Sequence, residues 1–587
     1  MKKVFYLFLF LLVYFNQLFA QTVLPNRMFA DTVNAPFYYG VSSGDPTNNS
    51  VVIWTCITPS PDSFSIQVVW QVSSDMRFSD ILQSGIYRTD TSFNFTVKID
   101  VGGLEAGAVY YYRFIDNSGK VSAWGRTKTL PNAPITQTKI AVLSCSSIYS
   151  GYFNAYKRLS ERTDLQVVLH LGDYIYDYVD ADEQIRVPIP YPIEPISRAD
   201  WVERYRYYLL DPDLREARRM QTWVTIWDNH DLNGLDTIPM QAYKEWLPIR
   251  ETPAVEQNIL YRSFSIGDLV DIHIADVNSR QGIDTFLDGE TNMLDNNQFE
   301  WLTGGLKSSA TTWHIIGSQK MAGGWYTNGI SPALLDLVPN DSNVFDANSW
   351  DGFMETRNHL FDTIVERQVD NCMIVSGDAH ITMAMDLVKH PHDSLAYDPI
   401  TGVGAVGTEF LPSSISRGNF DEGGLAAESS PFIIDLSMKA NPHHLLTEIN
   451  SHGYGILEIN QDSIRATPFY SDILRLTDTE KAGQEMVMLK GENHWRRKLI
   501  TTVEDILPIS IEIIPNPANQ VFFIQLNGPL NLPITAYLSN LLGEQVMSFL
   551  IKESQEVPTS NLAGGTYVLN LNIGGNIVAR HKIVLIH

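Results

Sequence analysis

The sequence is poor in cysteine, poor in basic charge and, past its first residues, without a long apolar run. Three cysteines occur in 587 residues: Cys56, Cys145 and Cys372. An odd count leaves at least one thiol unpaired, and three thiols cannot build the dense disulfide framework of a small stapled domain. Cys56 and Cys372 fall in different predicted domains, so no disulfide is expected. Lys and Arg number 42 against 67 Asp and Glu, for a net charge of −25. That surface lacks the cations on which non-specific nucleic-acid binding depends, and no nucleic-acid partner is expected. It still admits a phosphate-bearing substrate if metal ions reverse the field locally. Beyond residue 20 no stretch approaches the ~20 apolar residues of a membrane-spanning helix.

The exception stands at the start. In MKKVFYLFLFLLVYFNQLFA, Lys2 and Lys3 precede an apolar stretch from Val4 to Tyr14, and Ala20 offers a small residue for cleavage. This reads as a secretory signal peptide over residues 1–20. The remaining chain is expected to be exported and soluble. With 44% hydrophobic and 19% charged residues it has ample material for a core, and its length suggests three or four domains.

Residues 35–130 hold short β-branched and aromatic runs (VVIWTCIT, FSIQVVWQVSS, FNFTVKIDV, AVYYYRFID) at sandwich-like spacing. An N-terminal immunoglobulin-like or fibronectin-like β-sandwich is predicted, followed by a linker at LPNAP. Between 138 and 498 strands alternate with helical stretches such as NAYKRLSER, FEWLTGGLKSS and METRNHLFDTIVERQ. That alternation predicts a layered α/β domain. Pro212 should divide the helical stretch around WVERYRYYLLDPDLREARRM. After 507 the chain returns to short strands, and a small C-terminal β-sandwich is predicted over 507–587. The fold class is thus multidomain α/β with flanking β modules.

The residues just beyond the central strands carry the chemistry. KIAVLSC ends on Cys145; VVLHLGD ends on Asp173, with Tyr176 beyond it. WVTIWDNHD ends on Asp228, Asn229, His230 and Asp231, LVDIHIAD on Asp276, and CMIVSGDAH on Asp378 and His380. In α/β sheets the loops at the carboxyl ends of the strands form the ligand crevice. Five strands delivering metal-ligand residue types to one edge are poorly explained by turn chemistry. Thiolate and phenolate suit a trivalent or borderline metal such as iron; carboxylate and amide oxygens suit calcium, magnesium or manganese. The mixture suggests two kinds of metal joined by a carboxylate, and ions ~3.5–4 Å apart suit in-line displacement at phosphorus. Asn229 could place its amide on a metal while His230 faces the leaving group as its acid.

GVSSGDP, LSC, LHLGDYIYDY, WDNHD, MLDNNQFEWL, SWDGF and SGDAH stand in the order that resembles PhoD-like alkaline phosphatases, members of the calcineurin-like metallophosphoesterases, over about residues 35–495. The resemblance implies a four-layer α/β metallophosphoesterase domain over 138–498. It also implies one Fe(3+) and one or two Ca(2+), with Cys145, Asp173, Tyr176 and His380 on iron. Asp173 would bridge to calcium, joined by Asn229 and Asp378, and His230 would act near the leaving group. The implied reaction is hydrolysis of phosphomonoesters or phosphodiesters by metal-activated hydroxide. Two positions depart from the family: Asn229 replaces the second aspartate of an Asp-Asp-His run, and Asn278 stands where an arginine is usual. Arg280, two places later, is the expected substrate-binding arginine.

The C-terminal stretch, with PNPANQ, GTY and ARHKIVLI, is similar to type IX secretion sorting domains. It implies delivery by that machinery to the medium or the cell surface. Two other functions stay open on the residues: a phosphodiesterase for phospholipid head groups, teichoic-acid-like polymers or nucleotides, and a non-catalytic surface binding protein.

Overall fold

The β-branched and aromatic runs near the start become β1 (Val41–Gly44), β2 (Val51–Cys56), β3 (Ser65–Ser73), β4 (Ile81–Asp90), β5 (Thr96–Val101), β6 (Val109–Asp116) and β7 (Gly125–Lys128). β4, β3, β6 and β7 form a four-stranded antiparallel sheet in that order. Val68, Val72, Tyr112 and Phe114 from this sheet share one core with Val51, Ile53, Val97 and Val101 of β2 and β5. The computed structural model describes residues 28–60, 64–232, 236–281, 292–326, 346, 348–422, 429–497, 510–527, 534–540, 545–573 and 576–586. The signal peptide expected over residues 1–20 lies outside them.

Residues up to Arg497 form one compact unit and the remainder a second. In the first, β8 (Gln137–Leu143), β9 (Val167–His170) and β10 (Thr222–Thr225) lie side by side and parallel. β1 adds to β10 in parallel, pairing Ser43 with Thr222, and β2 and β5 follow. The 11-stranded sheet therefore runs from the first hundred residues into the central region without a break. A second sheet holds β11 (Arg262–Ile266), β12 (Val270–Ile274), β13 (Trp313–Gly317), β14 (Cys372–Val375), β15 (Thr382–Leu387), β16 (Gly407–Leu411) and β17 (His444–Glu448). β12, β13, β14 and β16 are parallel neighbours.

The runs VVLH, WHIIG and CMIV are buried along their whole length, as parallel strands covered on both faces are, and apart from His170 and His314 they are apolar. Val142 and Leu169 of the first sheet meet Ile272, Ile315 and Met373 of the second in a single core. Pro212 divides its helical stretch as expected. Asp211 accepts hydrogen bonds from the amides of Asp213 and Leu214 and starts a new helix, Pro212–Met220, with the proline in its first turn. The thiols of Cys56, Cys145 and Cys372 are all buried and unpaired.

The second unit consists of a three-stranded sheet (Ser510–Ile514, Val521–Asn527, Gln555–Pro558) and a four-stranded one (Gln545–Ile551, Ile534–Asn540, Gly565–Ile573, Asn576–Leu585). Phe522 and Ile524 of one pack with Leu538, Leu569 and Ile583 of the other. Among the described residues no helix is long and apolar enough to cross a membrane.

Candidate metal centre

Each parallel strand must turn sharply where it leaves the sheet, and the candidate ligands sit in those turns. Cys145 follows β8, Asp173 follows β9, Asp228 follows β10, and Asp378 and His380 follow β14. Four of them adopt left-handed backbone: Cys145 at φ +59°, Asp173 at +51°, Asp378 at +67° and His380 at +62°. Such residues cost of order 1–3 kcal/mol each and cluster where function requires them. A fully buried aliphatic side chain contributes ~1.5–3 kcal/mol, so a few core residues offset the strain. Gly172, at φ +103°, makes the turn before Asp173 possible; a Cβ there would lie 2.4 Å from that of Asp228.

The turns bring the ligands together in two sets that share one carboxylate. Ligand atoms of Cys145, Asp173 and His380 lie within 4.8 Å of one another, and so do those of Asp173, Asp228 and Asp378. Tyr176 joins the first set, its hydroxyl 3.2 Å from His380 Nε2. Tyr174 points elsewhere and accepts a 2.7 Å hydrogen bond from Arg218. Asn229, at the exposed mouth, touches the second set through Lys320, whose Nζ donates to its Oδ1 at 3.0 Å. His230 donates its backbone amide to Asp173 Oδ1 at 3.2 Å, and its Nδ1 lies 2.7 Å from Asp177 Oδ1. Its ring packs on that of Tyr176, with centroids 4.2 Å apart. Arg280 faces Asp295 at 3.6 Å, while Asn278 donates its side-chain amide to Asp228 Oδ1.

Five residues whose roles are not legible in the sequence reach the cluster. Asp228, in sequence only part of the run before Asn229, is the third carboxylate of the second set. Asp231 accepts from the amides of Tyr174, Ile175 and Asp228, stapling two ligand loops together. Asp177 orients His230. Lys320 emerges after β13, the parallel neighbour of the strand that leads to Asp378. Arg417 lies over the Tyr176 ring, 5.4 Å from its centroid, and pairs with Glu183. No local pattern marks it. Asp276 has a supporting part, accepting from Trp227 Nε1 and the Ser279 amide so that its loop presents Asn278.

Burial and charge act on these groups in opposite senses. Burial, aided by Asp173, pushes the Cys145 thiol and the Tyr176 phenol well above their ordinary ranges. Burial also holds the His380 imidazole neutral, down to about 3. Asp228 is pushed up to about 8, chiefly by burial and in spite of Lys320. Asp378 is raised by burial but lowered more by Lys320, and the net direction is down. Burial disfavours charge on His230, yet the Asp173 and Asp177 carboxylates outweigh it and the net direction is up. Asp228 Oδ2 is buried with no hydrogen-bond partner. An orphaned carboxylate oxygen among two further carboxylates, beside a thiol, a phenol and an imidazole, is a donor set that fits hard and borderline cations together.

Comparison with known proteins finds similarity along most of the chain. The profile described as PhoD-like phosphatase matches residues 140–467, and that of the PhoD-like phosphatase N-terminal domain matches 23–131. A secretion system C-terminal sorting domain matches 512–586. Alkaline phosphatase D of Bacillus subtilis (strain 168) is 29% identical over 451 residues, covering 70% of this chain and 73% of the relative. A solved structure titled "Structure of PhoD" superposes with a TM-score of 0.69 at 27% identity, covering 80% of this chain and 93% of the other.

Proposed function

Since the chain belongs to the PhoD-like phosphatase family, we propose that it is an exported metallophosphatase hydrolysing small phosphomonoesters, phosphodiesters or both at the cluster around Asp173. One observation carries this reading: a single carboxylate is common to a thiol–phenol–imidazole set and a carboxylate set. Cys145, Asp173, Tyr176 and His380 would hold ferric iron. Asp173, Asn229 and Asp378, with Asp228 added, would hold calcium. When bound, the ions supply an activated water for attack at phosphorus and neutralise the phosphoryl oxygens.

The chain's own residues do the rest. Asp177 fixes one ring nitrogen of His230 and favours its protonated form, so that the imidazolium holds a proton for the departing alkoxide. Tyr176 sets the plane of that ring. Arg417 and Arg280 are the guanidinium groups proposed to orient the phosphate. Their bidentate geometry suits phosphoryl oxygens, and Arg417 already sits above a ligand ring.

The finer architectural readings belong here too. A shared core between the β4–β3–β6–β7 sheet and β2 with β5 supports an immunoglobulin-like sandwich at 35–130. A shared core between the two large sheets supports a four-layer metallophosphoesterase domain at 138–498. The sorting domain implies export. We read it as a type IX signal, over 507–587, that leads to release or to attachment at the cell surface.

The test is hydrolysis of p-nitrophenyl phosphate and bis-p-nitrophenyl phosphate by the purified chain with added calcium, alongside iron and calcium analysis. Turnover of either ester by an iron-containing protein is expected. Turnover of neither, with the metals present, would favour a surface protein that binds without hydrolysing. The same panel extended to phospholipid and polymeric diesters decides the leaving group.

A further inference from the structure

The second half of the cluster already contains a cation. Lys320 Nζ lies 2.6 Å from Asp378 Oδ1, 3.2 Å from Asp228 Oδ1 and 3.0 Å from Asn229 Oδ1. Three oxygens from two different sheets thus converge on one ammonium, which has three protons to donate. Its side chain is only 7% exposed, so the amine is not a surface group that has drifted inward. The backbone that carries it is held from several directions. Ser318 Oγ donates to the Lys320 carbonyl, and Gly377 N donates to the Gln319 carbonyl. The Gln319 side chain bridges the Ala275 carbonyl and the Val277 amide. The stem therefore rises from a rigid turn directly beneath the carboxylates.

We propose that Lys320 is a built-in substitute for one divalent cation, so that this chain binds no more than one calcium beside its iron. The inference rests on the metallophosphatase reading above and narrows its count of one or two calcium ions. The charge balance favours it. Cys145, Tyr176, Asp173, Asp228 and Asp378 offer five anionic donors when deprotonated, which one trivalent and one divalent ion already match. The ammonium then supplies the excess positive charge that an incoming phosphate requires. A further divalent ion would have to sit against it, close enough for strong repulsion in a poorly solvated site. With Lys320 on the Oδ1 atoms of Asp228, Asn229 and Asp378, one calcium is left Asp173 and the orphaned Asp228 Oδ2, and a second would have to displace the ammonium from the oxygens it holds.

The measurement is the calcium-to-iron ratio of the full chain, equilibrated with excess calcium, desalted and analysed by plasma mass spectrometry. Calorimetric titration with calcium chloride accompanies it. The wild type is expected to hold at most one calcium per iron. Lys320→Met, close in length and uncharged, is expected to gain one calcium per iron with its iron unchanged. Two calcium ions per iron in the wild type would overturn the proposal, and that result needs no variant to fold. An unchanged ratio in Lys320→Met that retains iron would overturn it equally. A wild type without iron would instead strike the metallophosphatase reading itself, so the two failures are distinguishable.

Discussion

On one side of Asp173 stand Cys145, Tyr176 and His380; on the other stand Asp228, Asn229 and Asp378. The first side is made of groups that burial keeps neutral, with thiol and phenol raised and imidazole lowered. The second is made of two carboxylates and an amide with an ammonium already among them. The first needs a strongly polarising ion to release two protons before it becomes anionic. The second already holds the Lys320 ammonium, which keeps Asp378 in its charged form before any ion arrives. The ligands expected at one sheet edge come instead from the strand ends of two sheets, which present two donor chemistries a few ångströms apart, and the two sides should separate under mutation.

The comparison is broken altogether by removing what the sides share. Asp173→Asn is expected to abolish phosphatase activity and to lose both metals, as read by assay and metal analysis together. Retention of either metal at full occupancy would mean that the carboxylate is not the bridge. Gly172→Ala strikes the same point through the backbone, because its Cβ would overlap that of Asp228. Its effect should appear as lost soluble protein or a lowered melting temperature.

His230 sits between the sides and should report on chemistry without touching the metals. His230→Gln is expected to lower turnover by about 10²–10⁴-fold, the usual worth of a positioned acid, with iron and calcium unchanged. The loss should be smaller for p-nitrophenyl phosphate than for an alkyl phosphate, since a good leaving group needs less protonation. Equal losses on both substrates would remove the acid role.

Subtler variants sharpen the contrast. Tyr176→Phe should bleach or shift the visible charge-transfer band of a ferric phenolate and leave calcium in place. Asp378→Asn should weaken calcium and leave the band. Crossed effects would show that the sides are not separate. A control away from both is Glu409 on β16, which accepts hydrogen bonds from the Ala322 and Gly323 amides. Burial pushes its carboxyl up to about 7 from 4.5, in spite of those donors. The folded state therefore binds the proton more tightly than the unfolded state between these values, and this contribution to stability falls as pH rises through that window. Glu409→Gln should flatten that part of the melting temperature–pH curve.

Much of the framework could be read locally. The runs VVLHLGD, TWHIIGSQ and NCMIVSGDAH are apolar enough to be fully buried strands, and each stops on a polar residue that must lie at an edge. Asp211-Pro212 spells a helix start because an aspartate cap and a proline first turn are local chemistry. The partnership of β1 with β10 could not be read this way. Parallel pairing of residues 43 and 222 leaves no trace in either segment's own pattern, and so a β module that looks separate in sequence shares a sheet with the central region.

The same division holds at the site. Residue types at strand ends, together with their order along the chain, determined that Cys145, Asp173, Tyr176, Asn229, His230, Asp378 and His380 were candidates, because donor chemistry is a property of single side chains. Only the tertiary structure decided that Asp228 lies beside Asp378, that Asp177 holds His230, that Arg417 covers Tyr176 and that Lys320 reaches the carboxylates. Those relations depend on distances between loops far apart along the chain. Such distances are set by how two sheets pack, not by any local run of residues.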